Sequence, residues 1–205
     1  MKIKTIKELS TGIYKEKGSK FIAYAYPINK EEDVLRILKE VKKEHHSARH
    51  HCYAYSIGAY REKIRYNDDG EPNGTAGKPI INQIVSFDLT NVLVVVVRYF
   101  GGILLGTGGL THAYKIATFE ALKNAIIIEL ENYLKCIIHC NYQQLPNILK
   151  ILNKKENNCR ILNQDFDQNH YIISIIYPEK NKELIKDQLS IFSDVKLYII
   201  ENFLL

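Results

Sequence analysis

Residues 91–110 read NVLVVVVRYFGGILLGTGGL. The six aliphatic residues from Val92 to Val97 predict a strand that is buried on both faces, and this strand ends at Arg98. Five glycines follow between Gly101 and Gly109, and the segment after them has helical periodicity as far as about Ile128. The stretch therefore predicts a strand, a glycine-rich turn and a long helix that begins near Gly108.

The start of this helix is a candidate anion site. The first turn of a helix has free backbone amides at the positive end of the helix dipole, and glycines allow a ligand to approach closely. Arg98 would add a planar, permanently charged guanidinium at the mouth of this site. The alternative is that the glycines serve tight turns and close packing and that Arg98 forms a structural ion pair. Residue types alone leave both interpretations open.

Two phosphate-binding motifs are excluded by spacing. In a Walker A loop two glycines precede Lys and Ser or Thr, whereas here Pro72 takes the first glycine position and Pro79 the hydroxyl position. The dinucleotide-binding pattern fails because Thr111 stands at its third glycine position. The sequence therefore predicts no bound cofactor.

A second glycine-rich segment, NDDGEPNGTAGKP at residues 67–79, groups the carboxylates of Asp68, Asp69 and Glu71. Carboxylates this close can bind magnesium, but acids that flank a glycine are also the ordinary composition of a β-turn. The alternation of a calcium loop is absent. We expect a turn whose acids pair with Arg98, and no metal site.

The basic excess of the chain belongs to its first part. Residues 1–129 hold 19 Lys and Arg against 14 Asp and Glu, and residues 130–205 hold nine of each, which gives the net charge of +5. A modest positive field is compatible with nucleic acid or another acidic partner. The longest aliphatic run is six residues, against the ~18 needed to span a bilayer. We expect a cytoplasmic protein without membrane contact, whose four cysteines are reduced and buried.

Glycine use changes along the chain, since all eleven glycines lie at or before Gly109. Such a change predicts two units with different backbone demands. We place the boundary near Glu129 to Tyr133, which gives domains at residues 1–129 and 130–205.

Periodicity predicts the elements of both units. In the first, strands at residues 21–28 and 51–58 bracket a helix with an apolar face of Val34, Leu35, Leu38 and Val41. A short helix with Ile80, Ile81, Ile84 and Val85 precedes the valine strand. In the second unit, strands near residues 133–142, 159–166, 170–177 and 195–200 alternate with helices at 144–155 and 182–192, and residues 167–169 form a hairpin turn. The order β-α-β-β-α-β is the ferredoxin-like arrangement.

Three segments in this order, HHCYAYSIG (50–58), NDDGEPNGTAGKPI (67–80) and VVVRYFGGILLGTGGLTHAY (95–114), resemble the signature of the YigZ/IMPACT family in its bacterial two-domain type. The similarity covers roughly residues 10–125, and the motifs are highly specific.

The resemblance implies an α+β protein. Its N-terminal, IMPACT-type domain would be like the second domain of a small-subunit ribosomal protein, and its C-terminal ferredoxin-like βαββαβ domain would resemble one in elongation factor G. Both of those relatives work on RNA. Eukaryotic family members are translational regulators that bind a ribosome-associated activator of a stress kinase. That contact depends partly on an extra N-terminal domain, so the kinase partner is not carried over to this chain.

We expect a binding site where the family pattern and the helix start coincide. Its residues are His50, Asp68, Asp69, Glu71, Lys78, Arg98, Gly101, Gly102, Gly106, Gly108 and His112. His112 stands where bacterial relatives usually have Arg or Lys.

The function predicted first is a non-enzymatic, translation-linked factor that binds RNA or ribosome-associated partners and regulates translation. One alternative is a protein-interaction module without RNA binding. The other is an enzyme that uses His50 with Asp68 or Asp69 on a phosphate-bearing substrate. Because no nucleophile, base and orienting group are recognisable together, we expect no catalytic residue.

Overall fold

The structure is a computed structural model that describes residues 2–167 and 170–204. These residues fall into two compact units, residues 3–129 and residues 130–204 with Lys2. Each unit combines helices with an antiparallel sheet, which confirms the predicted α+β class.

The first unit is built on a five-stranded sheet. Its elements are β1 (Lys2–Ile6, of which residues 3–6 belong here), β2 (Ser10–Glu16), β3 (Ser19–Pro27), α1 (Glu31–Glu44), β4 (His50–Ile57), β5 (Lys63–Asn67), α2 (Gly77–Ser86), β6 (Val92–Tyr99) and α3 (Gly106–Lys123). The sheet has the order β2-β3-β6-β4-β5, and all neighbouring strands are antiparallel.

The central strand β6 packs on both of its faces. One set of alternate side chains joins a core with α2 and α3 (Val92, Val94, Val96), and the other set packs against α1 (Leu93, Val95, Val97). Because side chains alternate along a strand, Arg98 follows the first set and faces α3. The register of the sheet places His50 of β4 directly opposite Arg98.

The helices of the first unit differ from the prediction in detail. The helix α1 buries Ile37 between Val34 and Val41, whereas Leu35 is 71% exposed. The predicted apolar face was therefore wrong at Leu35, because the buried stripe follows the spacing i, i+3, i+7 from Val34. Val85 of α2 is likewise exposed.

The predicted bounds of the long helix were also wrong. The helix α3 begins at Gly106, two residues earlier than predicted, and ends at Lys123. The residues Ile127 and Ile128 instead begin the next strand, β7 (Ile127–Cys140).

The second unit has the ferredoxin-like arrangement. After β7, which begins in the first unit, its elements are α4 (Leu145–Leu152), β8 (Arg160–Asp167), β9 (His170–Pro178), α5 (Lys182–Leu189) and β10 (Lys196–Leu204). The strands β10, β7, β9 and β8 neighbour one another in this order and are antiparallel. Both helices pack on the same core as β7 and β9. Of the predicted hairpin turn, Gln168 and Asn169 lie outside the described residues.

Candidate functional site

A buried ion pair between Arg98 and Glu71 forms the base of the candidate site. Nη1 of Arg98 lies 2.7 Å from Oε1 and 3.0 Å from Oε2 of Glu71, and the two side chains are 6% and 3% exposed. Both oxygens accept from one nitrogen, so the pair does not use the two-nitrogen fork that arginine offers. Nε of Arg98 has no hydrogen-bond partner in the described part of the chain. The guanidinium therefore keeps donor capacity that Glu71 does not use.

This burial corrects two expectations about Arg98. The guanidinium lies beneath the surface, with its Cζ 5.5 Å and 5.6 Å from the ring centres of Phe21 and Phe100, and not at the exposed mouth of a site. Of the three acids expected to pair with it, Glu71 does so, while the carboxylates of Asp68 and Asp69 bind other groups.

Asp68 caps the start of α2. Its Oδ1 accepts hydrogen bonds from the amides of Ala76 and Gly77 at 2.9 Å and 2.8 Å, and its Oδ2 accepts from Gly74 at 2.9 Å. Gly77 is the first residue of α2, where backbone amides lack partners within the helix. The carboxylate thus compensates the positive end of α2 and is not available to Arg98.

Asp69 belongs to the tight turn that directs Glu71 toward β6. The φ angles of Asp69 and Gly70 are 41° and 87°, and the amide of Glu71 donates to the carbonyl of Asp68 at 2.9 Å. Positive φ at both central residues is the geometry of a type I′ turn. The Asp69 carboxylate accepts the amide of His51 at 2.7 Å and lies 3.5 Å from Nζ of Lys42, so it too is neutralised locally.

His50 is oriented by a backbone carbonyl. Its Nδ1 lies 2.9 Å from the carbonyl oxygen of Asp69, and because a carbonyl only accepts, Nδ1 carries the hydrogen. In the neutral ring Nε2 is then an acceptor. The histidine–carboxylate pair required by the enzymatic alternative is absent between His50 and both Asp68 and Asp69.

Two further buried side chains lie beside the ion pair. The sequence analysis did not include them among the site residues. The hydroxyl of Tyr114 donates to Oε1 of Glu71 at 2.8 Å, and Sγ of Cys52 lies 3.3 Å from that hydroxyl. Burial raises the pKa of both Tyr114 and Cys52 far above the ordinary values, so both keep their protons at neutral pH. The sequence contains one indication of the hydrogen bond from Tyr114 to Glu71. Tyr114 lies within the apolar stripe of α3, and a buried hydroxyl needs a hydrogen-bond partner.

A cavity of about 450 Å³ opens above the ion pair. We call it the Arg98 cavity, and its lining residues are Arg49, His50, Glu71, Pro72, Arg98, Phe100, Leu104, Leu105, Gly106, Thr107 and Leu110. Its base is buried and its rim, at Leu104 and Arg49, is exposed. The cavity thus combines apolar walls with a few polar groups, as small-molecule sites do.

The first turn of α3 opens on this cavity without a cap. Leu105 precedes the helix and makes no side-chain capping bond, and the first turn has no acidic residue. Gly106 and Thr107 both line the cavity. Within residues 2–167 and 170–204, no side chain accepts a hydrogen bond from the free amides of this turn.

The glycines near α3 have different roles. A Cβ atom at Gly101 would overlap the backbone of Gly18, so close packing requires this glycine. Gly102 lies in the turn before α3. A Cβ atom at Gly108 would meet nothing within 4 Å, so packing does not explain a glycine there.

The remaining predicted residues lie elsewhere on the first unit. Lys78 lines a separate cavity of about 320 Å³ together with Lys115. His112 is exposed, and its ring makes an edge contact with Tyr14 at 5.8 Å between ring centres. The structure therefore brings His50, Glu71, Arg98 and Gly106 into the Arg98 cavity, but it does not bring Lys78 or His112 there.

Within residues 2–167 and 170–204, no group of three or more His, Cys, Asp and Glu side chains is placed to hold a metal ion. In the same part of the chain, no helix has the length and hydropathy to cross a membrane.

The segments that build this cavity define a known class of protein. The profile of the Impact N-terminal domain matches residues 17–122, and the chain belongs to the IMPACT family. The resemblance inferred from the three sequence segments is thereby confirmed.

Two bacterial relatives match it over nearly their whole length. An IMPACT family member from Haemophilus influenzae is 38% identical over 189 residues, which cover 89% of this chain and 88% of the relative. The IMPACT family member YigZ from Escherichia coli is 33% identical over 186 residues, or 90% of each chain. A crystal structure of a hypothetical protein superimposes with a TM-score of 0.68 at 32% identity and covers 98% of both chains.

Proposed function

We propose that this protein is a non-enzymatic, translation-linked factor of the cytoplasm that binds RNA, with the Arg98 cavity as a phosphate contact. In this proposal, residues 1–129 form the IMPACT-type N-terminal domain that carries the contact. Residues 130–205 form a ferredoxin-like domain that resembles one in elongation factor G.

The observation that carries the proposal is the uncapped first turn of α3 beside a buried, incompletely paired arginine. The amides of a helix start attract anions. Arg98 is more than nine-tenths buried, lines the same cavity from the end of β6 and carries a permanent positive charge, so it supports an anion there independently of the helix.

The three acidic residues of the family signature do not argue against an anion in the Arg98 cavity, because each is balanced by a neighbouring group. Glu71 is balanced by Arg98, Asp68 by the amides at the start of α2, and Asp69 by the His51 amide and Lys42. The charge that remains at the cavity is the exposed guanidinium of Arg49. Residues 1–129 as a whole carry five more basic than acidic side chains.

The proposal is tested by the affinity of the full chain for a fluorescein-labelled single-stranded RNA, measured by anisotropy across a salt series. We expect affinity to fall steeply with salt, because phosphate contacts release counterions. Arg49→Ala should weaken binding by up to about fivefold, the equivalent of about 1 kcal/mol for an exposed charge. It should also flatten the salt slope by about one unit.

The matched control is Arg36→Ala, which removes an exposed arginine of α1 that pairs with Glu40 and does not line the cavity. This variant should retain the affinity and the salt slope of the unmodified protein. Absence of salt-dependent RNA binding by the unmodified protein would overturn the proposal, as would equal losses in the two variants.

A second candidate function, a protein-interaction module without RNA binding, is favoured by the exposed apolar side chains between β6 and α3. Ile103 and Leu104 are 55% and 85% exposed, and Phe100 beside them is 43% exposed. Exposed apolar residues that lie together often mark protein contacts. If this second function is correct, the unmodified chain should recover a protein partner and should not bind RNA. Leu104→Asn should then abolish recovery of that partner.

A further inference from the structure

We infer that the Arg98 cavity receives the terminal phosphomonoester of an RNA, together with the nucleoside that carries it, and not an internal phosphodiester. The inference rests on the proposed function and specifies which part of the RNA enters the site.

The depth of the donors within the cavity is the first argument. Arg98 and Glu71 at the base are 5% and 8% exposed, so a phosphate that reaches the guanidinium must pass the exposed apolar side chains that line the cavity. A terminal monoester has one substituent, which can lead back to solvent along the cavity. An internal diester has two substituents that both continue into polymer, and it would have to bring both chains past Phe100 and Leu104. The terminal group therefore fits this geometry better.

The number of donors is the second argument. A phosphomonoester carries about −1.5 to −2 charges near neutral pH and three acceptor oxygens, whereas a diester carries a single charge. The cavity offers the first-turn amides of α3 at Gly106 and Thr107, the positive charge of Arg98 at its base and the nearby charge of Arg49. These donors lie in the first turn of α3, at the end of β6 and directly before β4. Together they suit a group with several free oxygens.

The exposed aromatic ring in the lining supplies the third argument. Phe100 is part of the lining and remains 43% exposed, and aromatic faces stack on nucleobases without strong sequence preference. The cavity volume of about 450 Å³ falls within the range of about 300–1,000 Å³ that small-molecule pockets occupy. The cavity can therefore hold a nucleoside as well as its phosphate.

The test compares one short single-stranded RNA in three forms: with a 5′-phosphate, with a 3′-phosphate, and with hydroxyls at both ends. We expect one of the phosphorylated forms to bind the full chain at least about tenfold more tightly than the hydroxyl form. The form that gains affinity identifies the RNA end. A nucleoside monophosphate should compete with this RNA, and the matching nucleoside should not.

The variants are chosen to leave the fold intact, because removal of Arg98 would leave Glu71 buried and unpaired. Thr107 is exposed in the first turn of α3, where a carboxylate stabilises the helix. Thr107→Glu should therefore raise thermal stability and still remove the preference for a terminal phosphate, because its own carboxylate would repel the ligand. Thr107→Gln, of the same size but neutral, should keep most of that preference. Lys115→Ala, in the separate cavity, should keep it fully.

The outcomes separate the inference from the proposed function. Equal, salt-dependent affinity for all three RNA forms would overturn the terminal-phosphate inference and leave RNA binding standing. Absence of binding to every RNA would overturn both. Loss of phosphate preference in Thr107→Gln as well as in Thr107→Glu would show that charge at this turn is not the cause, and it would also overturn the inference.

Discussion

Glu71 and Arg98 are 27 residues apart in the sequence and meet through a single guanidinium nitrogen, which donates to both carboxylate oxygens. Tyr114 donates to the same carboxylate from α3. The ion pair thus joins a turn, the central strand and the helix that opens on the cavity.

Removing one charge of this pair should destabilise the protein strongly. Glu71→Gln would leave Arg98 buried without a counter-charge, and loss of one partner of a buried pair costs about 3–5 kcal/mol. We expect a loss of this size in the free energy of unfolding measured by urea denaturation. Glu40→Gln removes the exposed pair of Arg36 and Glu40 and should leave the urea midpoint nearly unchanged. Similar losses in the two variants would contradict the buried role of Glu71.

Alanine should have opposite effects at two glycines of the signature. Gly101→Ala places a Cβ atom into the backbone of Gly18 and should lower the unfolding temperature markedly. Gly108→Ala adds a Cβ atom in open space within α3, and alanine is favoured over glycine in helices by up to about 1 kcal/mol. We therefore expect a higher unfolding temperature for Gly108→Ala by calorimetry. A decrease there would show that Gly108 has a structural role that the packing does not reveal.

The buried His51 should make the protein less stable in mild acid. Desolvation lowers the pKa of His51 below its ordinary value of 6.5; its hydrogen bond to the His45 carbonyl and the charge of Asp69 oppose this shift, while Lys42 and His45 add to it. The unfolded chain therefore takes up the proton at higher pH than the folded protein does. The resulting stability is fully present above about pH 6.5 and is lost as the pH falls.

This dependence is measured by urea denaturation between about pH 7.5 and pH 5.5. The decrease in stability over this range should be smaller in His51→Gln than in the unmodified protein. The slope, and not the absolute stability, is the quantity compared, because the substitution also disturbs packing. Equal slopes would show that His51 does not cause the acid sensitivity.

The four cysteines should react slowly with thiol reagents. Burial raises the pKa of each thiol, to about 12 at Cys159 and by varying amounts at Cys52, Cys136 and Cys140. Because the thiolate is the reactive form, little of it is present near pH 8. We expect Ellman's reagent to label the native protein slowly and the denatured chain rapidly at all four positions. Cys159 is half-buried, which corrects the expectation that all four cysteines are buried. A fast phase in the native protein at Cys52, Cys136 or Cys140 would contradict the burial of that cysteine.

Much of the fold is predictable because its central elements have strong patterns. The valine run of β6 and the amphipathic stripe of α1 each indicate one kind of element. All five residues of the edge strand β5 (KIRYN) are exposed, and its alternation of polar and apolar residues is too short to identify a strand. The end of α3 was missed because Ile126, Ile127 and Ile128 suit a helix and a strand equally well, and pairing within a sheet decides between them.

The candidate site is less predictable from sequence because it depends on backbone geometry. Three acids were candidates to pair with Arg98, and the positive φ angles of Asp69 and Gly70 determine that Glu71 does so. The capping of α2 by Asp68 spans nine residues to Gly77 and has no helical or strand spacing that would predict it. The exposed rim formed by Leu104 depends on where α3 begins, which the sequence placed two residues too late.

The dependence of Arg98, Glu71 and Tyr114 on one another limits how these positions can change during evolution. Loss of one charge alone costs about 3–5 kcal/mol, out of about 5–15 kcal/mol that typically separates a folded domain from its unfolded state. An intermediate with one partner replaced would therefore be poorly folded and selected against. Homologous chains should vary at positions 71 and 98 together or at neither, and lineages that lose the ion pair should replace both residues with apolar side chains.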